Sequence, residues 1–478
     1  MPTNIALELQ EQGRWRLRPP YAGWTLFDQL VRNEFLPPEE QYERLQRRVK
    51  DLLDFVAAAV PFYSRSFAGR GRGAGKLWGM DDLRALPILT RMEVQGNQVE
   101  LGATFLPPGE VLEGFLTTSG STGQPLQIDH TQRSLTMFCA LKQRELRWFR
   151  YDSSGRLAII RSGRDLPMLV GTGTPEDMPR EVPCWPQVGR HFETGPCFGA
   201  PITLSLDRQM QWLEQIQPDY LMSLSANLEH LAFGWRERRP AVAIRALQAI
   251  SMQLTPSMRR FIEQVFDAPV NENYGLNEIG LVASRCPEGG RFHVHQENCF
   301  VEIVNDKGVP CRPGERGHLV VTGFGNLAMP MLRYDTGDLA DAVEGPCPCG
   351  RTLPTFGAIQ GRYRRIAFLP PGAWDRWMSL RKALVEAPPE LLRGLRQFQL
   401  HQYRDGRFEL RLVMAGHAPS ALLERLQGAW PTLEGLPPAS LQIIEVDSIP
   451  LPPGGKFQDF TSDFIPPPDE PGPQQACP

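Results

Sequence analysis

The sequence predicts an α/β fold. A large N-terminal domain of mixed sheets and helices spans residues 1–361, a small, mobile α+β domain spans 362–464, and a disordered tail spans 465–478. Three observations predict this. From about 110 to 345, short apolar runs alternate with helical stretches, the pattern of strands packed against helices. Beyond Gly361-Arg362 the pattern changes to apolar–polar alternation around Asp405-Gly406, a dipeptide suited to a two-residue hairpin turn. The final stretch is rich in proline, of which the chain has 45, and has little apolar surface to bury.

Each element has its own signal. Leu45, Val49, Leu52, Leu53, Val56 and Val60 recur at helical spacing, so 38–60 reads as a helix. Gly69-Arg70-Gly71-Arg72-Gly73-Ala74-Gly75-Lys76 looks like a phosphate loop but has Arg70 where the Walker pattern needs glycine and Leu77 where it needs Ser or Thr. It reads as a flexible basic surface loop. Runs 157–160 and 220–224 read as buried strands, 204–216 and 226–237 as helices, and 268–270 as a short strand. Runs 300–304 and 318–322 alternate like exposed sheet. In the small domain, 397–403 and 407–414 form the hairpin, 377–386 and 419–429 are helical, and 441–446 is a strand. No internal repeat is evident.

Bulk properties exclude several classes. The chain has 478 residues, enough for two or three domains with sizeable cores. Its hydrophobic content of 41% and charged content of 22% are ordinary for a globular protein. A net charge of −3 gives no electrostatic footprint for nucleic acid or an anionic membrane. No apolar run approaches the ~18 residues of a membrane span, and the N-terminus lacks the basic-then-apolar pattern of a secretory signal. A cytoplasmic enzyme acting on small molecules is the expectation; a homodimer is compatible with it. Nine cysteines, odd in number and widely spread, read as thiols and not as a disulfide framework.

Four patches in fixed order carry the chemistry. Thr117-Thr118-Ser119-Gly120-Ser121-Thr122-Gly123-Gln124-Pro125 packs hydroxyls and glycines together, so that side chains and backbone N–H groups can surround phosphate oxygens. Asn273-Tyr274-Gly275-Leu276-Asn277-Glu278 joins an aromatic ring to a carboxylate, a hard oxygen ligand for Mg²⁺. Arg333-Tyr334-Asp335-Thr336-Gly337-Asp338 offers carboxylates that can accept paired sugar hydroxyls, and Gly454-Gly455-Lys456 offers a late ammonium. Taken singly, the 273–278 patch reads equally well as an ordinary turn with a solvated charge, and the other three read better as ordinary turns or an exposed lysine.

Together the patches resemble the adenylate-forming enzymes, which join carboxylic acids to AMP. The resemblance implies that Thr118, Ser119, Gly120, Ser121, Thr122 and Gly123 hold phosphates. It implies that Asn273, Tyr274, Gly275 and Asp338 hold adenosine, that Asn277 touches the α-phosphate, and that Glu278 holds Mg²⁺. Arg362, at the interdomain junction, would contact ribose or phosphate, and Lys456 would stabilise the charge that develops as carboxylate attacks phosphorus. The chain departs from the family at Gln124, usually Lys, and at Asn277, usually Thr or Ser. It departs also at Ser251-Met252-Gln253, near which Gly-Glu is common, and after Arg362, where Tyr363-Arg364-Arg365 replaces an acidic hinge.

Val60-Pro61-Phe62-Tyr63, Leu86-Pro87-Ile88-Leu89-Thr90-Arg91 and Cys347-Pro348-Cys349-Gly350-Arg351-Thr352 resemble the phenylacetate–CoA ligase branch in particular. Some members of that branch hold zinc, and Cys286, His293, Cys347 and Cys349 match those positions. Three thiolates and an imidazole make a closed tetrahedral site, hence a structural one. His295, two residues further along the same strand face, is an alternative ligand to His293.

The expected activity is ATP- and Mg²⁺-dependent activation of a small carboxylic acid as its acyl-adenylate, then transfer to coenzyme A. The acid pocket is expected around Phe138, 224–227 and Tyr274-Gly275, positions suited to an aryl or medium apolar acid. The altered junction leaves open an amine or carrier-protein acceptor, and the departures together leave open a non-catalytic relative.

Overall fold

A computed structural model describes residues 16–17, 22–68, 78–117, 126–161, 180–362, 369–388, 390–436, 438–450 and 457–464. The expected loop at 69–76 and tail at 465–478 lie outside the described residues. Among the described residues, no helix is long and apolar enough to cross a membrane, and the eight cysteines are free thiols.

A nine-stranded sheet forms the frame. Across it run Thr355–Phe356, Phe292–Val294, Gly280–Arg285, Val270–Leu276, Ala246–Ile250, Tyr220–Leu224, Leu157–Arg161, Cys197–Pro201 and Arg180–Val182. The five from Val270–Leu276 to Cys197–Pro201 are parallel. Strands 157–161, 197–201, 220–224 and 246–250 are almost wholly buried, as their near-continuous apolar sequences require. The helices that cover them, Leu206–Ile216, Ser225–Arg238 and Pro256–Phe266, each end on a left-handed residue: Gln217, Arg239 and Asp267. Parallel strands deliver their carboxyl ends to one edge, where open α/β sheets bind ligands.

A second, four-stranded antiparallel sheet runs Cys299–Val304, Arg316–Gly323, Tyr334–Asp341, Ile359–Arg362. Strand 316–323 is not the exposed strand that its alternation suggests. Leu319, Val320, Val321 and Thr322 are all fully buried: Leu319 and Val321 join a second core with Val49, Leu53, Leu83 and Val94 of the helices at 38–59 and 80–96, while Val320 and Thr322 are buried on the other face, where Thr322 Oγ1 accepts from Arg333 N–H. The helix Pro38–Ala59 buries Leu45, Val49, Leu52, Leu53 and Val56, the predicted stripe.

The C-terminal unit is the expected α+β arrangement: Leu441–Glu445, Phe408–Met414, Leu395–Gln402 and Phe460–Ser462 in one sheet, with Ala373–Val385 and Ser420–Gly428 packed on it. The hairpin forms as expected, but through a three-residue loop, Arg404-Asp405-Gly406, closed by Tyr403 N–H on the Arg407 carbonyl, with Gly406 at φ 86°. Its core is continuous with the main one: Phe233 meets Phe398 edge-on at 6.0 Å, and Trp377 stacks on Phe460 at 5.9 Å. Within this seam lies Arg381, 1% exposed. It donates to both Glu229 oxygens at 2.6 Å, to Asp459 at 2.9 Å and to Thr255 Oγ1 at 3.2 Å. Burial pushes the Glu229 carboxyl above its ordinary range, and Arg381 opposes the shift. Replacing Arg381 by methionine leaves two carboxylates uncompensated and is expected to cost about 3–5 kcal/mol, read as a lower urea midpoint; an unchanged midpoint would show that the pair carries no net stability.

Candidate active site

The Tyr274 segment forms where the parallel sheet gives way to antiparallel strands. Strand Val270–Leu276 runs parallel to 246–250 on one side and hairpins into Gly280–Arg285 on the other, with Asn277, Glu278 and Ile279 in the turn. The ladder shifts register between Tyr274 and Gly275. A Cβ at Gly275 would lie 3.2 Å from the Gly280 carbonyl oxygen, so glycine permits the close crossing there.

The structure brings Tyr274 and Asp338 together: the phenol donates to Asp338 Oδ2 at 2.7 Å. Asp338 lies on Tyr334–Asp341, directly opposite Arg362 in the adjoining strand, so the backbone registers those two expected ribose-side residues against each other. Glu278 is buried in the same region. Its Oε1 accepts from Arg91 Nη1 and from the Tyr334 hydroxyl, both at 3.1 Å. Asn277 offers its carbonyl to His130 Nε2 at 3.0 Å. Asn273 points elsewhere: its amide donates to the buried Glu145 at 3.1 Å.

Residues 118–125 lie outside the described residues, as do 363–365 and Lys456. The strands that flank the hydroxyl-rich patch, Leu112–Thr117 and Gln127–Thr131, pair antiparallel with Thr117 opposite Gln127. The side chain of Arg362 is likewise outside what is described.

The segment 86–91 reaches the site because Arg333 anchors it. Arg333 adopts φ 48°, a left-handed conformation that costs a side-chain-bearing residue about 1–2 kcal/mol. It is compensated by two bonds to Glu302 at 3.1 Å and by the Arg84 and Leu86 carbonyls at 2.7 and 2.6 Å. Backbone bonds between Leu89 and residues 333 and 335 continue the attachment. Sequence reading named 86–91 only as a resemblance; its contact with Glu278 depends on a long-range pairing with no local signal. Ser251 is also left-handed, at φ 62°, at the end of strand 246–250. That conformation is free for glycine and strained for serine.

Leu224, Ala226 and Asn227 line a cavity of about 450 Å³ with Phe233, Phe398 and Phe457. Phe138, Tyr274 and Gly275 are not among its lining residues, so the expected acid pocket is only partly gathered there.

Cys286, His293, Cys347 and Cys349 place one ligand atom each within 4.8 Å of one another. Cys347 Sγ is 3.7 Å from Cys286 Sγ, and Cys349 Sγ is 3.3 Å from His293 Nε2. Backbone N–H groups of Gly289 and Arg351 donate to Cys286 and Cys349 sulfur, and a Cβ at Gly289 would collide with Cys347 Sγ at 2.2 Å. His293 turns Nδ1 to the Leu353 carbonyl at 3.3 Å, leaving Nε2 toward the thiols. Burial lowers this imidazole to about 4, so it is neutral, the metal-binding form. His295, the alternative ligand, faces away: its nitrogens meet Ser284 Oγ at 2.9 Å and Arg144 Nη2 at 2.5 Å.

No protein-family model matches the chain. Phenylacetate-coenzyme A ligase of Thermus thermophilus is 26% identical over 339 residues, covering 69% of this chain and 72% of that one. Phenylacetate-coenzyme A ligase of Pseudomonas putida is 24% identical over 386 residues, covering 78% and 80%. The structure of a 2-hydroxyisobutyryl-CoA ligase in the postadenylation state superposes with a TM-score of 0.67 at 17% identity, covering 91% of this chain and 92% of that one. The fold is that of the adenylate-forming CoA ligases, a large N-terminal domain with a smaller C-terminal one. In sequence the chain is similar to the phenylacetate–CoA ligases.

Tyr274→Phe removes a bond that joins the two sheets. It is expected to lower stability by about 1 kcal/mol, measured by urea unfolding; no loss would mean that the phenol contributes nothing to holding Asp338.

Proposed function

We propose that the chain is an AMP-forming acid–CoA ligase. The observation that carries this reading is the Tyr274–Asp338 bond at the carboxyl edge of the parallel sheet, on the strand whose following turn carries Glu278, in a chain similar to phenylacetate–CoA ligases. Adenosine would lie against Tyr274 with its ribose hydroxyls on Asp338. The acid's carboxylate attacks the α-phosphorus of ATP and pyrophosphate leaves; the acyl-adenylate is then taken by the coenzyme A thiol, releasing AMP. Residues 118–123 would hold the phosphates, Asn277 and Arg362 would contact phosphate or ribose, and Lys456 would oppose the charge that builds at phosphorus. Glu278 fits Mg²⁺ by donor chemistry, a buried carboxylate whose two described contacts both fall on Oε1. The domain limits follow the same reading: adenylation domain to residue 361, lid from 362 to 464. The protein is proposed to work in the cytoplasm on an aryl or medium apolar acid, without a nucleic-acid or membrane partner.

Pyrophosphate release from ATP, assayed over a panel of aryl and alkyl acids with hydroxylamine as trap, tests the first step. Acid-dependent release is expected in wild type and a fall of about 10²-fold or more in Lys456→Ala. Release that is independent of acid, or unchanged in the variant, would overturn the reading. Adding coenzyme A should then give the thioester.

The three thiols and His293 would hold a structural zinc, since four protein ligands leave no open position for chemistry. Purified protein is expected to carry about one zinc per chain by elemental analysis. Cys347→Ser should lose the metal and about 4 kcal/mol or more of stability. Metal-free protein of full stability would refute the assignment.

A further inference from the structure

Helix Gln132–Trp148 carries Lys142, Gln143, Arg144 and Glu145 in its buried part, none more than 1% exposed. The Glu145 carboxylate is the hub. Its Oε1 accepts from Lys142 Nζ at 2.6 Å, Asn271 Nδ2 at 2.6 Å and Asn273 Nδ2 at 3.1 Å, and its Oε2 accepts from Ser284 Oγ at 3.1 Å. Asn271 and Asn273 share one face of their strand by its period of two, and Ser284 is the cross-strand partner of Asn273. One carboxylate therefore grips both strands of the 270–285 hairpin.

The grip falls one residue before the site. Tyr274 faces the opposite side of the strand and reaches Asp338, and the ladder slips register immediately after it. Beyond Glu145 the chain of bonds continues in a fixed direction. Arg144 donates to His295 Nδ1, His295 Nε2 donates to Ser284, and Ser284 spends its proton on Glu145. Arg144 is held in turn by Glu297 at 3.0 and 3.2 Å. A buried ion pair is weak evidence for stability, since well-packed apolar residues often do as well; what these bonds do here is tie helix 132–148 to both strands of the hairpin.

We infer that Glu145 is a positioning residue for the nucleotide site, acting through Asn271, Asn273 and Ser284 to set where Tyr274 meets Asp338; this rests on the adenylation reading above. Lys142→Met/Glu145→Gln keeps an acceptor toward the asparagines without a buried charge, whereas Lys142→Met/Glu145→Leu removes it. Both are compared by urea unfolding, by calorimetric titration with ATP, and by KM for ATP and for acid. The glutamine variant should stay within about twofold of wild type. The leucine variant should weaken ATP about tenfold while KM for the acid changes less than about twofold. If the leucine variant does not fold, Asn271→Val removes one arm of the grip and should shift ATP affinity in the same direction. Unchanged ATP affinity, or a fall in kcat that only follows the folded fraction, would overturn the inference. Wild type that binds ATP but releases no pyrophosphate would refute adenylation alone, with the ATP affinities of the variants still deciding Glu145's role. Wild type that binds no ATP would overturn both.

Discussion

The hydrogen bond from Tyr274 to Asp338 joins two sheets that share no strand. Tyr274 belongs to the nine-stranded sheet and Asp338 to the antiparallel four-stranded one, so the site exists only if those bodies are held in register. Each side of the bond is therefore braced from behind. Glu145 ties down the strand of Tyr274, and Arg333, through Glu302 and the 84–86 carbonyls, ties the strand of Asp338 to the N-terminal helices. Arg91 then crosses from the helical layer to Glu278. A nucleotide at this edge would meet groups whose positions are settled before it arrives, which lowers the ordering cost of binding.

The charges that do this bracing are mostly buried, and burial changes what they are worth. An exposed ion pair contributes little, whereas a buried one must be fully satisfied or be a liability. Glu145 and Glu297 meet that condition by accepting from several donors each, and Arg381 by donating to Glu229, Asp459 and Thr255 in the seam to the C-terminal unit; Arg144 donates to Glu297, His295 and the Leu30 carbonyl but leaves its buried Nε unpartnered. The same logic extends to Glu34, fully buried beneath Arg147, Arg351 and the Trp148 indole, next to the thiol cluster. Bonds of this kind run from Glu34 through Trp148, which packs on His293, so the cluster and the helix that carries Glu145 are parts of one packed body.

Much of the architecture was legible in the sequence because it is local. Apolar runs at 157–160 and 220–224 read as buried strands, the stripe from Leu45 to Val56 read as one helix face, and Asp405-Gly406 announced its hairpin. The patches at 273–278 and 333–338 were legible because short segments of defined chemistry kept their order. What was not legible depends on distant partners. Helix 132–148 passed unnoticed because Lys142-Gln143-Arg144-Glu145 reads as a solvated face until Asn271, Ser284 and His295 are placed around it. Strand 316–323 read as exposed because nothing local says that the 38–59 helix covers its sheet. His295 and His293 were equivalent ligands by spacing; only Arg144 and Ser284, claiming both nitrogens of His295, separate them.

The C-terminal unit presents the same physics at a larger scale. Composition marks it as a separate body after Gly361-Arg362, yet Phe233, Phe398 and Trp377 make its core continuous with that of the large domain, and Arg381 closes the seam with charge. For the unit to turn as a lid, that apolar surface and the Glu229–Arg381–Asp459 set must part together. Partly exposed Asp459 can hand its charge to water, but Glu229 and Arg381 cannot without opening the seam around them. Movement there is thus expected to be all-or-none, between a docked state with the triad formed and an undocked state with all three groups hydrated, because a half-open seam would expose apolar surface while leaving the buried charges unpaired.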